Sequence, residues 1–597
     1  MNVAKKLKLL RDEMHKKNID IYIVPSTDAH NSEYVPKCWD RRAWISSFDG
    51  SAGEVIVTAK HAYLFTDGRY FLQAREQLDP MLYTLIQQSG AASKIETWLV
   101  ENAKNQRIGI DPQLISIKRA QKLKQLIQDL SSELVILEDN LVDKCKSPLG
   151  EADKTSLAQA FALSEQYTGQ SLTERLTMIR AALIKNVADF IALNVLDEIA
   201  WLFNIRGADI EYTPLVISYA ILGQNAAWLF VDQRKIPASL NDILSNAGIT
   251  ILDYAQFGQH LGNLKGRIWL DARTANLWML DKISAKSSVI LEVSPILYKK
   301  ALKNLVEAEG MRVAHIQDAV AVIRFLCWLQ HNWQTGVDEI SCADKLASFR
   351  AQEQHIVSAS FRTISGFASN GAIIHYHATP ATCKIVDDSN LYLIDSGGQY
   401  LEGTTDITRT IHLGKPRPEH KRHYTLVLKG HLALARVVFP HGMAGEHLDA
   451  FARAPLWHEY LNYRHGTGHG VGSFLCVHEG PQNISPAISG IALVPGMVVS
   501  NEPGFYLDGE YGIRIENLCL ITEVRAKAAK SSEFGPFYQF ENLTLVPYSK
   551  ELIDLDLLST EDKAQLKVYY TKINTKIRRR LGLVEQMWLD DQLALFN

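Results

Sequence analysis

The chain is poor in the features that mark secreted, membrane-bound or nucleic-acid-binding proteins. Seven cysteines are scattered through 597 residues, at positions 38, 145, 327, 342, 383, 476 and 519, an odd number with no CxxC pair. That argues against a disulfide framework and points to reduced thiols in a cytoplasmic setting. No apolar run is long enough for a bilayer. The most apolar helical stretch, DAVAVIRFLCWLQ at 318–330, is short and is broken by Arg324. The opening MNVAKKLKLLRDEMHKKNID reads as an amphipathic helix without the uninterrupted apolar centre of a signal peptide. A formal charge of -3 leaves no case for a nucleic-acid or anionic-membrane partner. Low-complexity linkers are absent as well.

What is present is ordinary in bulk, with 47% hydrophobic and 22% charged residues. A chain of this length exceeds one hydrophobic core, so two to four domains are expected. A faint internal repeat divides the first half. One copy runs LKLLRDEMHKKNIDIYIVPSTDAH, RRAWISSFDGSAG, AYLFTDGRYF; the other runs LTMIRAALIKNVADFIALNVLDE, IAWLFNIRGAD, AAWLFVDQRK. Each copy reads as an amphipathic helix, an apolar strand, an aromatic stretch ending at glycine, and a strand closed by a polar turn. Two related α/β domains are therefore expected at about 1–148 and 149–298. From 299 to 597 the pattern changes to long helices, ALKNLVEAEGMRVAHIQDAVAVIRFLCWLQ and VDEISCADKLASFRAQ, followed by strand pairs rich in glycine turns.

The suspicious polar residues collect in this last part. In LIDSGGQYLEGTTDITRTIH, residues 393–412, Leu391–Asp395 reads as a strand, GGQYLEG as a turn and Thr404–Leu413 as a second strand. Such a hairpin brings Asp395 and Asp406 face to face. GMVVSNEPGFYLDGEYGIRIENLCLI, residues 496–521, places Glu502 and Glu516 on its two strands in the same way. Between the two units RHGTGHGVG alternates His465, Thr467 and His469 with glycines, so an extended backbone would put both histidines on one face. Four acids and a histidine among apolar residues would repel one another in a core, and few lysines lie nearby to compensate. A metal centre satisfies all five. Five side chains cannot fill two separate octahedral shells, but two of the carboxylates can bridge a pair of ions roughly 3.5–4 Å apart. Oxygen-rich ligation with one imidazole favours Mn²⁺, with Co²⁺ or Zn²⁺ also compatible. Taken singly, each motif has a plainer meaning: a turn, or Asp406 paired with Arg409 on an exposed strand.

These segments carry a family resemblance. LIDSG, TTDITRT, HGTGHGVG, NEPG and GIRIEN resemble the five ligand segments of the pita-bread metallopeptidases, the family of methionine aminopeptidase, prolidase and aminopeptidase P. SFDGSAG, FTDGRYFLQ, NVLDEIAWLFNIRG, NGAIIHY and VHEGP extend the likeness from about residue 20 to the end, toward the long, three-domain cytosolic X-prolyl aminopeptidases. The resemblance implies two creatinase-like α/β domains before a C-terminal pita-bread domain, two divalent cations, and a homodimer. It implies Asp395 and Asp406 on one ion, His469 and Glu502 on the other, with Asp406 and Glu516 bridging.

The activity so implied is release of the N-terminal residue from small peptides with proline second, by hydroxide formed between the two ions attacking the first peptide carbonyl. His478 in VHEGP would hydrogen-bond the developing oxyanion, and Glu502 would carry a proton to the departing nitrogen. His375 in IIHY would line the substrate pocket, with His465 shaping it and Tyr376 helping to seat the proline ring. Arg514, two residues before Glu516 and expected on the same strand face, should point at the site. Arg69 in TDGRYF is expected to reach substrate from the first domain, and the two front domains to narrow access. Two alternatives stay open: a prolidase acting on Xaa-Pro dipeptides, and a metal-free peptide-binding module of the same fold.

Overall fold

The structure, a computed structural model, describes residues 1–88, 94–147 and 156–595. These form two compact units. One holds Met1–Leu163 and Gln170–Leu297, the other Tyr298–Asn597 with the short segment Ser164–Gly169.

The first unit contains the repeat as two six-stranded sheets of identical topology. In the first, the order across the sheet is Tyr83–Gln88, Ala62–Asp67, Glu54–Thr58, Ile21–Val24, Arg107–Ile110, Glu133–Ile136. In the second it is Ile249–Leu252, Ala227–Val231, Ser218–Gly223, Phe190–Leu193, Arg267–Leu270, Ser288–Leu291. The pairings match one for one: the strand that opens each copy is antiparallel to one neighbour and parallel to the other. The opening helices explain themselves from sequence. Val3–Lys16 is capped by the Asn2 side chain and buries Leu7, Leu10 and Met14 on one stripe. Its counterpart Leu172–Lys185 starts with a Ser171/Glu174 capping box and buries Leu172, Leu176, Ile179 and Leu183.

Arg69 lies in this first unit with its guanidinium committed locally. Its Nε and Nη2 donate to the two oxygens of Asp67, at 2.9 and 2.8 Å. The second copy closes its equivalent strand with the same fork, Arg234 on Asp232 at 2.9 and 2.6 Å. The pairing is thus a turn-closing device that both copies share.

The second unit opens with helix Leu305–Asn332, capped by Asn304, whose own N–H is capped in return by Glu307 at 3.1 Å. Helix Glu339–Arg350 follows after a turn at Gly336. Strand Leu391–Ser396 then lies between Ile364–Phe367 and Ile407–His412, antiparallel to both. A second helix pair, Pro418–Ala435 and Gly445–Trp457, precedes a four-stranded sheet that includes Val498–Asn501 and Asn517–Glu523. The unit therefore builds the same motif twice, a helix pair followed by an interrupted strand ribbon. The core runs under both ribbons: Tyr392, Ile394, Ile407, Ile513 and Ile515 pack with Phe325, Leu326 and Tyr548. Each such buried aliphatic side chain is worth about 1.5–3 kcal/mol. Because Ile394, Ile407 and Ile515 are chain neighbours of Asp395, Asp406 and Glu516, their packing anchors the acids. Among the described residues, no helix is long and apolar enough to cross a membrane.

Candidate metal centre

The ribbons do not run straight where they carry the acids. Asp395 sits in strand Leu391–Ser396 opposite Thr408, not opposite Asp406. After Ser396 the chain makes its own small ribbon, Gly398–Tyr400 against Gly403–Thr404, and Asp406 stands at the break before Ile407. The expected single strand from Thr404 to Leu413 is thus interrupted at Thr405–Asp406. Gly397 permits the crossing, since a Cβ there would lie 2.0 Å from the Thr405 carbonyl. The second ribbon is broken in the same manner. Glu502 follows Val498–Asn501, and Glu516 precedes Asn517–Glu523, whereas Gly504–Leu507 and Tyr511–Arg514 form a separate hairpin. Arg514 accordingly ends one strand while Glu516 stands at the break before the next, rather than both lying on one strand face. Arg514 nevertheless points at the site, where its Nη2 donates to Asp395 Oδ2 at 2.6 Å.

The breaks bring the side chains together. Ligand atoms of Asp406, His469 and Glu516 all lie within 4.8 Å of one another. His469 Nε2 stands 3.5 Å from Asp406 Oδ2 and 3.5 Å from Glu502 Oε1. Its Nδ1 donates to the Gly470 carbonyl at 3.0 Å, which leaves the Nε2 lone pair facing the acids. Ligand atoms sharing a cation at roughly 2.1 Å stand about 3–4 Å apart, so the spacing suits an ion better than hydrogen bonds. Burial pushes the Asp406 carboxyl well above its ordinary range, and the charges of Asp395 and Glu502 push it further. Burial, Asp406 and Glu502 do the same to Glu516. Three carboxylate oxygens here are buried without a hydrogen-bond partner: Asp395 Oδ1, Asp406 Oδ1 and Glu516 Oε1. Buried acceptors left without donors, two of them on acids within ligand reach of an imidazole lone pair, are a donor set that suits a dication. The residues therefore fit a metal centre.

Surrounding groups fix these ligands. Thr408 Oγ1 donates to Glu516 Oε2 at 2.8 Å and Ser500 Oγ to Glu502 Oε1 at 3.1 Å. Arg409 does not pair with Asp406. It is buried, donating to the Glu516 and Val546 carbonyls at 2.6 and 2.8 Å and to Asn517 Oδ1 at 2.9 Å. The HGTGHG segment is tied down from helix Gly445–Trp457. Arg453 donates to the Tyr463 and His465 carbonyls and to Asp449, whose other oxygen accepts from Thr467 Oγ1 at 2.5 Å. Asp449 and Arg453 escaped the sequence reading; their signal was an acid–base pair at i, i+4 on a helix, usually a surface feature but buried here.

The candidate pocket residues divide. His465 is half-buried; its Nδ1 donates to the Gly466 carbonyl at 2.7 Å, while its Nε2 meets the Tyr506 hydroxyl at 2.9 Å. That hydroxyl accepts from Arg514 Nη1 at 2.7 Å, so a continuous chain links Asp395, Arg514, Tyr506 and His465. His478 packs edge-on against His469, with ring centroids 4.4 Å apart. His375 is half-buried, and the carbonyl of its neighbour Ile374 accepts from Arg514 Nη2 at 3.4 Å. Tyr376 departs from expectation. It is 5% exposed, packs with Ile364 and Leu393, and its hydroxyl donates to Glu339 at 2.9 Å. These contacts enclose the ring.

Comparison with known proteins agrees with this geometry. The metallopeptidase family M24 profile matches residues 309–523, and the C-terminal region of peptidase M24 matches 536–595. Creatinase/prolidase N-terminal domain profiles match 6–145 and 151–307. A protein of Botryotinia fuckeliana named "Probable Xaa-Pro aminopeptidase P" is 41% identical over 97% of this chain and 90% of its own length. One of the same name from Laccaria bicolor is 42% identical over 97% and 91%. The chain belongs to the aminopeptidase P branch of metallopeptidase family M24. Among solved structures, the X-prolyl aminopeptidase of Caenorhabditis elegans superimposes with a TM-score of 0.94 at 32% identity, covering 99% of both chains. That protein is a cytosolic enzyme with a di-nuclear active site.

Proposed function

We propose that this M24 enzyme removes the N-terminal residue from peptides whose second residue is proline, with two divalent cations held by Asp395, Asp406, His469, Glu502 and Glu516. The observation that carries the reading is that Asp406 and Glu516 lie within ligand reach of His469, and that each of them, like Asp395, keeps one buried carboxylate oxygen without a hydrogen-bond partner. When bound, the cations supply Lewis acidity toward the scissile carbonyl and acidify a water.

The chain's own residues do the rest. Arg514 orients Asp395 through one oxygen and leaves the other for ligation. Glu502, the more accessible of the acids at 18% side-chain exposure, is placed to carry a proton to the departing nitrogen. His478 is placed to donate to the carbonyl oxygen as charge develops on it, and His375 and His465 line the pocket. Proline selectivity follows from what such a site does not need. An Xaa-Pro bond offers no amide N–H and a restricted backbone, which defeats peptidases that grip that N–H. A site working on the carbonyl and the free amino terminus is indifferent to both.

Oxygen-rich ligation with one imidazole favours Mn²⁺, with Co²⁺ and Zn²⁺ compatible. All seven cysteines are free thiols, which suits a cytoplasmic location. A homodimer is the assembly the family likeness favours. The test strips the protein with chelator, restores Mn²⁺ and follows amino-acid release from Arg-Pro-Pro, Arg-Pro and Met-Ala-Ser in parallel. Metal-dependent release of arginine from Arg-Pro-Pro alone is expected. Cleavage confined to Arg-Pro would make the enzyme a dipeptidase, and no cleavage would remove the reading.

A further inference from the structure

We infer that Glu339 positions His375, acting as a buried carboxylate that grips the 367–384 segment from behind; this rests on the aminopeptidase reading, in which His375 lines the substrate pocket. Glu339 is the first residue of helix Glu339–Arg350 and is 0% exposed. Its Oε1 accepts from the Phe367 amide at 2.6 Å and from Asn370 Nδ2 at 2.9 Å. Its Oε2 accepts from the Tyr376 hydroxyl at 2.9 Å and the Lys384 amide at 3.0 Å. Its main chain joins in: the N–H donates to the Lys384 carbonyl at 3.1 Å, and the carbonyl accepts from Ser365 Oγ at 2.7 Å.

Four neutral donors converge on one carboxyl group; burial pushes its pKa up, and these bonds together with the helix N-terminus act against that by favouring the charged form. All four come from the segment that carries His375, at its beginning, middle and end. The opposite side of that segment is held by the metal centre. Arg514, the residue on Asp395, donates to the Ile374 carbonyl, and a Cβ on Gly512 would lie 1.8 Å from the Gly371 carbonyl. Strand Ile364–Phe367, at which the segment starts, places Ile364 directly opposite Asp395. His375 therefore stands between two clamps, one on each side of it in the chain, Ile374 on Arg514 and Tyr376 on Glu339. Loosening the second clamp is expected to shift the histidine while the ligands stay in place.

The experiment is a double-mutant cycle on the Mn²⁺-loaded enzyme, with kcat, KM and bound metal measured for the native protein, Glu339→Gln, His375→Ala and the double variant. Glu339→Gln keeps the volume but replaces a charged acceptor with an amide. It is expected to lower kcat/KM on Arg-Pro-Pro about tenfold with metal content unchanged, and to cost less than about twofold once His375 is already alanine. Equal losses in both backgrounds would show that Glu339 acts through the fold at large and would overturn the inference. No loss in the native background, or none from His375→Ala, would overturn it too. Should Glu339→Gln fail to fold, Tyr376→Phe, which removes one of the four donors, is put through the same cycle with the same criteria. Failure of the aminopeptidase reading is seen separately, as a native enzyme that does not cleave Arg-Pro-Pro.

Discussion

Asp406→Asn is expected to lower kcat on Arg-Pro-Pro by at least about a thousandfold, a barrier increase of about 4 kcal/mol, while the chain stays folded. The amide retains the shape of the carboxylate but supplies no charge and no second anionic oxygen for bridging. The effect on the metal-stripped protein should run the other way. Without cations, Asp406 stands beside Asp395 and Glu502, whose charges oppose its own. Removing it relieves that repulsion, so the stripped variant should unfold at a temperature no lower than the stripped native protein. Added Mn²⁺ should then raise the unfolding temperature of the native chain far more than that of the variant, because ligand stabilises only in proportion to its binding. Turnover measured beside unfolding curves with and without Mn²⁺ reads both effects. Activity within tenfold of native would show that Asp406 is not a bridging ligand.

The second large effect concerns two glycines in one motif. A Cβ on Gly468 would lie 2.0 Å from the Ser500 carbonyl, backbone against backbone, with no side chain able to yield. The same addition at Gly466 meets nothing nearer than 3.5 Å. Gly468→Ala must therefore force apart the segments carrying His469 and Glu502, which the Glu502 amide otherwise joins through the Thr467 carbonyl at 2.8 Å. We expect a loss of roughly 3 kcal/mol, at the upper end for overpacking. Melting should fall by about 2–4 °C for each kcal/mol, and activity should drop at least about tenfold because misplaced reacting groups are costly. Gly466→Ala should stay close to native in both measures. Thermal melts and kcat/KM of the two variants check this; equal behaviour would mean that the close approach at Gly468 is not required.

The candidate ligands stood out as a set because chemistry constrains them. Four carboxylates and an imidazole beside Ile394, Ile407 and Ile515 have few uses except a cation site, and the joint pattern carries that meaning where single motifs do not. The repeat was legible too, since each copy must satisfy the same alternation of helix stripe and strand. The strand breaks were not. Thr404–Leu413 reads as one β-branched run, and only the close passage of Gly397 against Thr405 shows why it is interrupted at Asp406. Likewise Arg514 and Glu516 look like neighbours on one face until the chain is seen to change sheets between them. Partners of buried polar groups were the least legible. Glu339 reads as an unremarkable helix-start acid, and Tyr376 as an aromatic near a pocket. Their bond to each other depends on the fold returning residue 376 to residue 339, which no local spacing encodes. Arg69 shows the converse, a motif arginine whose partner lies two residues away in a turn that the repeat uses twice.

The central claim is that these five side chains hold two cations, and metal stoichiometry tests it most directly. Chelator-stripped protein is equilibrated with Mn²⁺, dialysed to remove loose ions, and its metal counted per chain by elemental analysis. The account predicts close to two equivalents for the native chain. A native chain that retains no manganese, or only one equivalent, would contradict it.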